Sequence, residues 1–495
     1  MKGMFNFGLL GIRRVFGGVM PPKPSIDKWV KEHMVFWYDM SKPVDVYAEN
    51  FNDWTKFTGA KYTVTNKSVN ITNFDAVNNA CIYIAKSKKF NGITITVDGL
   101  LDGQEIAWGY NNNPLVRMPK NGTYTLEPID SVTGNIGFRS INIVGACNIT
   151  ITQLPSGQSV PTNEILKANP YLQDHSGNNR PLKLNNFLFA AMSGVGGYDI
   201  SSANILPDRA NVTVTDNRII HITKKLSTTD NMVNIVPANS NPTHKFKVTG
   251  LSDGRQVSLV NRNGGFYTFD NGEHEVTLTY PEGTTSLYNA IGVTGDIGDM
   301  DVTIEFLPRY PNALVTDGVD DYGQVQNFKS LQNYMMFFQC AIIRPNTLNG
   351  MFSTTSIEDN TKGWMLLQGN SANEVRFGNN IYTNFEFTPS VEDKTDYILS
   401  ANNKLMTCYV GEEKATLAGT YGQTGANMLL FLSDSIRKIR FGSMAFYKSI
   451  LFDSVPTKET DGFTEQDLIT WVIDNMINGT PQSGVFPYVF PLKVN

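Results

Sequence analysis

The chain has 495 residues, and a single hydrophobic core stops growing at roughly 250–300 residues, so two to four domains are expected. Hydrophobic residues make up 41% and charged residues only 18%, with Thr, Asn, Ser and Gly filling the difference, as in β-rich proteins where turns outnumber helices. A net charge of −5 without a long basic run excludes phosphate-backbone recognition, so no nucleic-acid partner is expected.

The N-terminus carries Phe5, Phe7, Leu10, Ile12 and Phe16 among glycines, and Pro21-Pro22-Lys23-Pro24 follows as a predicted stiff, extended linker. Residues 1–33 therefore read as an apolar anchor that orders by docking on a partner. The alternative is a segment lying on the protein's own surface. Asn6 and Arg13-Arg14 interrupt any secretory h-region, and no apolar run reaches about 18 residues, so neither a standard signal nor membrane insertion is expected.

Met34-Val-Phe-Trp-Tyr-Asp39 is a predicted strand. A duplicated module follows. Tyr62–Pro155 and Val212–Pro308 match in order, about 150 residues apart. Val97-Asp-Gly99 answers Val248-Thr-Gly250, Asn121-Gly122 answers Asn271-Gly272, and Ile136-Gly137 answers Ile291-Gly292. Period-2 stretches such as Ile93-Thr-Ile-Thr-Val97, punctuated by Asn-Gly and Asp-Gly, predict a β-sandwich for each copy. Between the copies lie Asp174-His-Ser-Gly-Asn178 and Met192-Ser-Gly-Val-Gly-Gly-Tyr198, and after the second comes Ala313-Leu-Val-Thr-Asp-Gly-Val-Asp-Asp-Tyr322. Near the end, Leu468, Ile469, Val472, Ile473 and Met476 form one apolar stripe, and Thr464 with Glu465 and Asp467 supplies a helix start.

Catalytic motifs are weak. The five histidines are scattered, and no HExxH, GxSxG or P-loop occurs. Asp299, Asp301 and Glu305 share strand parity, as a glycanase carboxylate set would, but the first copy has Ala146, Asn148 and Thr152 there. No enzymatic activity is expected. The cysteines Cys81, Cys147, Cys340 and Cys408 form no CxxC pair, so zinc is not expected and free thiols are.

The Trp-Tyr-Asp strand, the Asp-His-Ser-Gly-Asn turn and Asp317-Gly-Val-Asp-Asp-Tyr322, in that order, resemble the start of concanavalin A-like (laminin G-like) domains. Lys362-Gly-Trp-Met-Leu-Leu367, Ile439-Arg-Phe-Gly442, Met444-Ala-Phe-Tyr-Lys448 and the final helix resemble the rest. The fold this implies is all-β: a concanavalin A-like jelly roll interrupted by two duplicated β-sandwich modules, with a short C-terminal helix. The boundaries are 1–33 for anchor and linker, 34–46 for the first jelly-roll strand and 47–155 for module one. A jelly-roll segment at 156–204, module two at 205–310 and the remaining jelly roll at 311–495 complete the chain. A beads-on-a-string order is the competing arrangement. The resemblance also implies a rim calcium site at Asp317, Asp320 and Asp321, against a turn with solvated carboxylates. Tyr322 and Trp364 are candidate sugar-stacking rings, as aromatic residues are in glycan sites, with core packing the favoured alternative.

The glycine-rich and Asp-rich stretches also look like virion fibre and decoration proteins of tailed phages, the crAss-like group among them. That likeness implies a virion location, assembly in a host cytoplasm, and a capsid or tail protein as partner. It further implies a host-surface glycan as ligand of the jelly roll and, by analogy, a homotrimer. A glycan depolymerase or hydrolase and a cellular surface lectin are the alternatives.

Overall fold

The computed structural model describes residues 23–478 other than 77–78, 111–112, 199, 216–217, 238–242, 253, 262–264, 279–288, 327, 329–330, 344–348, 355–362, 369–373, 379–381, 387–392, 403–404, 412, 419–427 and 433–440. The chain forms two compact units. One comprises Met1–Asp39, Asp174–Phe187 and Gly196–Asn495; the other comprises Met40–Gln173 and Leu188–Val195.

The first unit contains the jelly roll, a sandwich of two antiparallel sheets. One sheet runs Leu314–Val315, Met444–Phe452, Tyr334–Ile342, Thr395–Asn402, Leu405–Val410, Glu413–Ala418, and Met34–Asp39 also pairs with Met444–Phe452. The other runs Leu182–Asn185, Tyr322–Gln326, Met428–Phe431, Asn349–Ser353, Met365–Gln368, Glu374–Gly378, Tyr382–Glu386. Aromatic side chains join the two: Phe36 and Tyr38 lie 5.8 and 5.7 Å from Phe431, and Phe338 lies 5.7 Å from Phe352.

All nine residues of Tyr334–Ile342 are buried, because the outer face of that sheet is covered too. Met335, Phe337, Ile398, Ile450 and Phe452 pack there against Ile26, Trp29 and Val30 of an N-terminal helix and Leu468, Ile469 and Val472 of the closing helix. The N-terminal helix spans Lys23–His33. Lys23-Pro24 of the expected extended linker are thus helical, and the boundary at residue 33 moves, while Pro21 and Pro22 lie outside the described residues. A proline is tolerated in a first helical turn, and the i, i+3, i+4 spacing of Ile26, Trp29 and Val30 gives the helix a face to bury. Phe5, Phe7, Leu10, Ile12 and Phe16 lie outside the described residues. The closing helix, Glu465–Val472, starts at a capping box between Thr464 and Asp467 and ends in a π turn, Ile473–Ile477.

Both modules are sandwiches of two five-stranded sheets with identical strand order. In module one the sheets are Gly122–Leu126, Ile93–Asp98, Gly145–Gln153, Ser68–Phe74, Ala60–Val64 and Thr55–Lys56, Ala80–Ile84, Ile136–Ile141, Glu105–Tyr110, Asn113–Met118. In module two they are Gly272–Thr277, Thr243–Thr249, Gly298–Phe306, Ile219–Lys225, Ala210–Thr215 and Ile200–Ile205, Val233–Pro237, Asn289–Val293, Val257–Asn261, Phe266–Phe269. The repeated sequence anchors have structural reasons. Gly99 and Gly250 both sit at φ +87, where a Cβ would lie 1.9 Å from the Asn148 carbonyl oxygen and 1.8 Å from that of Asp301. Asn121 brackets Leu100 with two backbone hydrogen bonds of 2.8 and 3.2 Å, and Asn271 does the same to Leu251, both at 3.0 Å.

The boundaries differ from the expected ones in two further places. The jelly roll's first strand ends at Asp39, and Val44–Val46 pairs instead with Gly157–Ser159 in the second unit. Within residues 156–204, Leu182–Asn185 pairs with Tyr322–Gln326 of the jelly roll, whereas Ile200–Ile205 is already the edge strand of module two. A three-residue strand carries too little periodicity to reveal its partner. The insertion points are closed by hydrogen bonds. His175 N–H donates to the Trp37 carbonyl (2.8 Å), and Tyr310 N–H donates to that of Gly196 (2.8 Å), so each excursion leaves and returns at one place.

His244, 2% exposed in module two, stands where module one has Ile93. Burial pushes its pKa from 6.5 down to about 4. The unfolded chain therefore binds a proton between those values that the folded one does not, and stability falls as pH drops through that window. A loss of about 3 kcal/mol is expected below pH 4. Denaturant unfolding at pH 7 and pH 4 checks this, and His244→Ile should flatten the difference. An unchanged pH slope in the variant would locate the acid sensitivity elsewhere.

Candidate functional site

Asp317, Asp320 and Asp321 precede the strand Tyr322–Gln326, and their carboxylate oxygens lie within 4.8 Å of one another. A turn at Gly318 (φ +77) brings them together. Val319 N–H donates to Asp317 Oδ1 (2.8 Å), and Asp317 N–H donates to Asp321 Oδ2 (3.1 Å). Asp321 is fully buried, whereas Asp320 is exposed and its carbonyl accepts from Asn186 Nδ2 (3.0 Å). Oxygen-only donors of this kind suit a hard cation such as calcium, with the three carboxylates supplying part of a six- to eight-oxygen shell. Some of those lone pairs already accept backbone N–H groups, as in an ordinary Asp turn.

Tyr322 is half-buried, its ring 6.2 Å from that of Phe441. Trp364 is different: it is fully buried, stacked on Tyr334 at 4.3 Å and edge-on to Phe352 at 5.4 Å. Trp364 is therefore no sugar-stacking ring, and the favoured core reading holds for it. Its position beside the sheet-to-sheet aromatic layer makes it core.

The Asp174-His-Ser-Gly-Asn178 turn clamps the first strand. Asp174 accepts from the backbone N–H groups of Trp37 (3.0 Å), Ser176 (2.9 Å) and Arg180 (3.0 Å), and Asn178 Nδ2 donates to the Met34 carbonyl (2.7 Å). Burial raises the Asp174 pKa, and these hydrogen bonds oppose that rise. The motif is thus architectural.

Asp299, Asp301 and Glu305 do share one face of Gly298–Phe306, but it is the outer face of module two. Lys224 lies 3.0 Å from Asp299, and His221 Nε2 lies 2.7 Å from Asp301. Two of the three carboxylates are thus tied to neighbouring basic side chains, with the Asp299 and Asp301 side chains 83% and 89% exposed.

One polar constellation escaped the sequence reading. Asp39, Lys448, Gln339 and Asp396 stand directly opposite one another on four adjacent strands of the jelly roll. Lys448 Nζ contacts Asp39 Oδ2 at 3.1 Å and donates to the carbonyls of Met476 (3.3 Å) and Ile477 (3.1 Å). Gln339 Nε2 donates to Asp396 Oδ1 (2.8 Å), and burial raises the Asp396 pKa. A bulge beside Lys448 sends it to the helix-covered face. Residues spread from 39 to 448 carry no local signal of this row.

The fold and these sites define a multi-domain, all-β protein: a two-sheet jelly roll carrying two inserted sandwiches. No protein-family model matches the chain, and no curated protein sequence does. Among solved structures it is similar to domains LG4–5 of the mouse laminin α1 chain (9% identity, 53% of this chain and 90% of that one, TM-score 0.22). It is also similar to a putative carbohydrate-binding protein from Bacteroides ovatus (8%, 52% and 83%, TM-score 0.21). A third is the CBM40 of Ruminococcus gnavus IT-sialidase bound to α2,3-sialyllactose (14%, 26% and 80%, TM-score 0.23). These neighbours are carbohydrate-binding or laminin G-like β-sandwich domains.

Proposed function

We propose that this protein is a structural and binding component of a tailed-phage particle, acting by binding alone, with a host-surface glycan as the ligand of its jelly roll. The observation that carries the binding part is the aspartate cluster before Tyr322, where a cation would sit beside a half-exposed aromatic ring. The inserted modules would hold the jelly roll away from the particle, and the apolar N-terminal residues would meet a capsid or tail protein. The phage reading rests on the sequence likeness of the Asp-Ser-Gly-Asn, glycine-rich and Asp-Gly-Val-Asp-Asp-Tyr stretches. A homotrimer follows only by analogy with other fibres.

The test is mass spectrometry and immunogold labelling of purified particles from a lysed culture of the source. Stoichiometric presence on head or tail is expected. Absence from particles, with the protein on cells or in the medium, would overturn the phage reading and bring forward a cellular lectin or a glycan hydrolase. Calcium should raise the melting temperature of the full chain, and the Asp317→Ala/Asp320→Ala double variant should lose that rise. An equal rise in the variant would remove calcium from the site.

A further inference from the structure

We propose that each sandwich module carries an open groove along its edge strand, and that the groove of module one takes an acidic oligosaccharide. This goes beyond the jelly-roll reading, because it concerns a different domain and different residues.

The two grooves occupy the same place in the repeat. In module one a concavity of about 730 Å³ lies along Ala60–Val64 and the preceding Lys56–Thr58; in module two one of about 520 Å³ lies along Ala210–Thr213 with Ile205 and Pro207. Ala60 answers Ala210 and Thr63 answers Thr213 in the register of the duplication. Both strands are the last of their sheets. The pairing of Ala60–Val64 with Ser68–Phe74 slips between Lys61 and Tyr62, and that of Ala210–Thr215 with Ile219–Lys225 slips between Asn211 and Val212. The extra residue, Thr72 in one copy and Thr223 in the other, belongs to the neighbouring strand, and such a bulge bends the paired strands at that point. The same bulge, in both copies, accompanies the same hollow although most of the lining residues differ.

The side chains that line the groove of module one are Lys56, Phe57, Thr58, Lys61, Tyr62 and Thr63, with no acid among the described lining residues. Phe57 is 44% exposed. Its backbone is held in place, because the Tyr62 hydroxyl accepts from Phe57 N–H (2.9 Å) and donates to the Phe57 carbonyl (3.1 Å). Its ring lies over Gly59, where a Cβ would come within 2.9 Å of it. An exposed aromatic ring sharing this lining with two lysines and two threonines offers a platform for a sugar's C–H face, two cations for a carboxylate and hydroxyls for its hydroxyls. In a chain of net charge −5, two lysines without a lining acid favour an anionic ligand. Module two has Pro207 in place of Phe57 and Asn211 in place of Lys61, so its groove lacks both the platform and the charge.

The experiment measures calorimetric binding of pentagalacturonate, maltopentaose and pentaglutamate to the full-length protein at low salt. Pentagalacturonate is expected to bind and the other two are not. Lys56→Gln/Lys61→Gln and Phe57→Ala should each weaken binding roughly tenfold at unchanged melting temperature. Chelating calcium with EGTA should leave this binding unchanged, which separates it from the jelly-roll rim. No binding of pentagalacturonate, equal binding of pentaglutamate, or full affinity in both variants would overturn the proposal.

Discussion

Replacing Lys448 with Met should destabilise the jelly-roll unit by about 3–5 kcal/mol. Lys448 and Asp39 face each other with side chains only 12% and 2% exposed. Methionine keeps the length of the stem but leaves the Asp39 carboxylate buried without its cation, and removes the donor to the Met476 and Ile477 carbonyls at the end of the closing helix. The double variant Asp39→Asn/Lys448→Met should recover much of the loss, since the buried Asp39 charge is removed together with its ion-pair partner. Urea denaturation of the four proteins in this cycle gives the coupling energy directly. A single-variant cost below about 1 kcal/mol would show that the pair is solvated in solution.

The second large effect is expected in module two, where removing the acid should cost more than removing the base. Lys225 is fully buried and pairs with Asp230, and its Nζ also donates to the carbonyls of Val293 (3.0 Å) and Gly295 (2.8 Å). Asp230→Ala leaves a buried ammonium with carbonyls alone and should cost about 3–5 kcal/mol. Lys225→Met should cost less, because it takes the charge away altogether. Module one already shows the apolar solution: Phe74, also fully buried, occupies the equivalent end of its strand. Chemical denaturation of both variants decides the matter. If Lys225→Met proves the more damaging, the lysine holds the loop carbonyls together more strongly than its burial penalises it.

Both effects rest on tertiary pairs whose members no local pattern singles out. The same holds for the repeat's grooves: the sequence aligns Ala60 with Ala210, but the bulge beside each appears only once strands are paired. Trp364 illustrates a different limit. A tryptophan in a strand reads equally well as a sugar platform or as core, and its burial against Tyr334 and Phe352 depends on the packing of strands far apart in sequence.

Much was nevertheless determined by sequence alone. The duplication was legible because its anchors are residues with little freedom: glycines where a side chain would collide with backbone, and asparagines that bracket a neighbouring backbone. The all-β class followed from period-2 patterning, and the closing helix from the Thr464 cap and its apolar stripe. The aspartate cluster was visible because its members are adjacent in the chain. What only the tertiary structure decided was partnership. It placed Val44–Val46 with Gly157–Ser159, turned the proline-led Lys23–His33 into a packed helix, put Trp364 inside and set the polar row across four strands. Sequence periodicity reports which face of an element is apolar, but the identity of the surface that covers it is set by contacts between residues up to hundreds of positions apart.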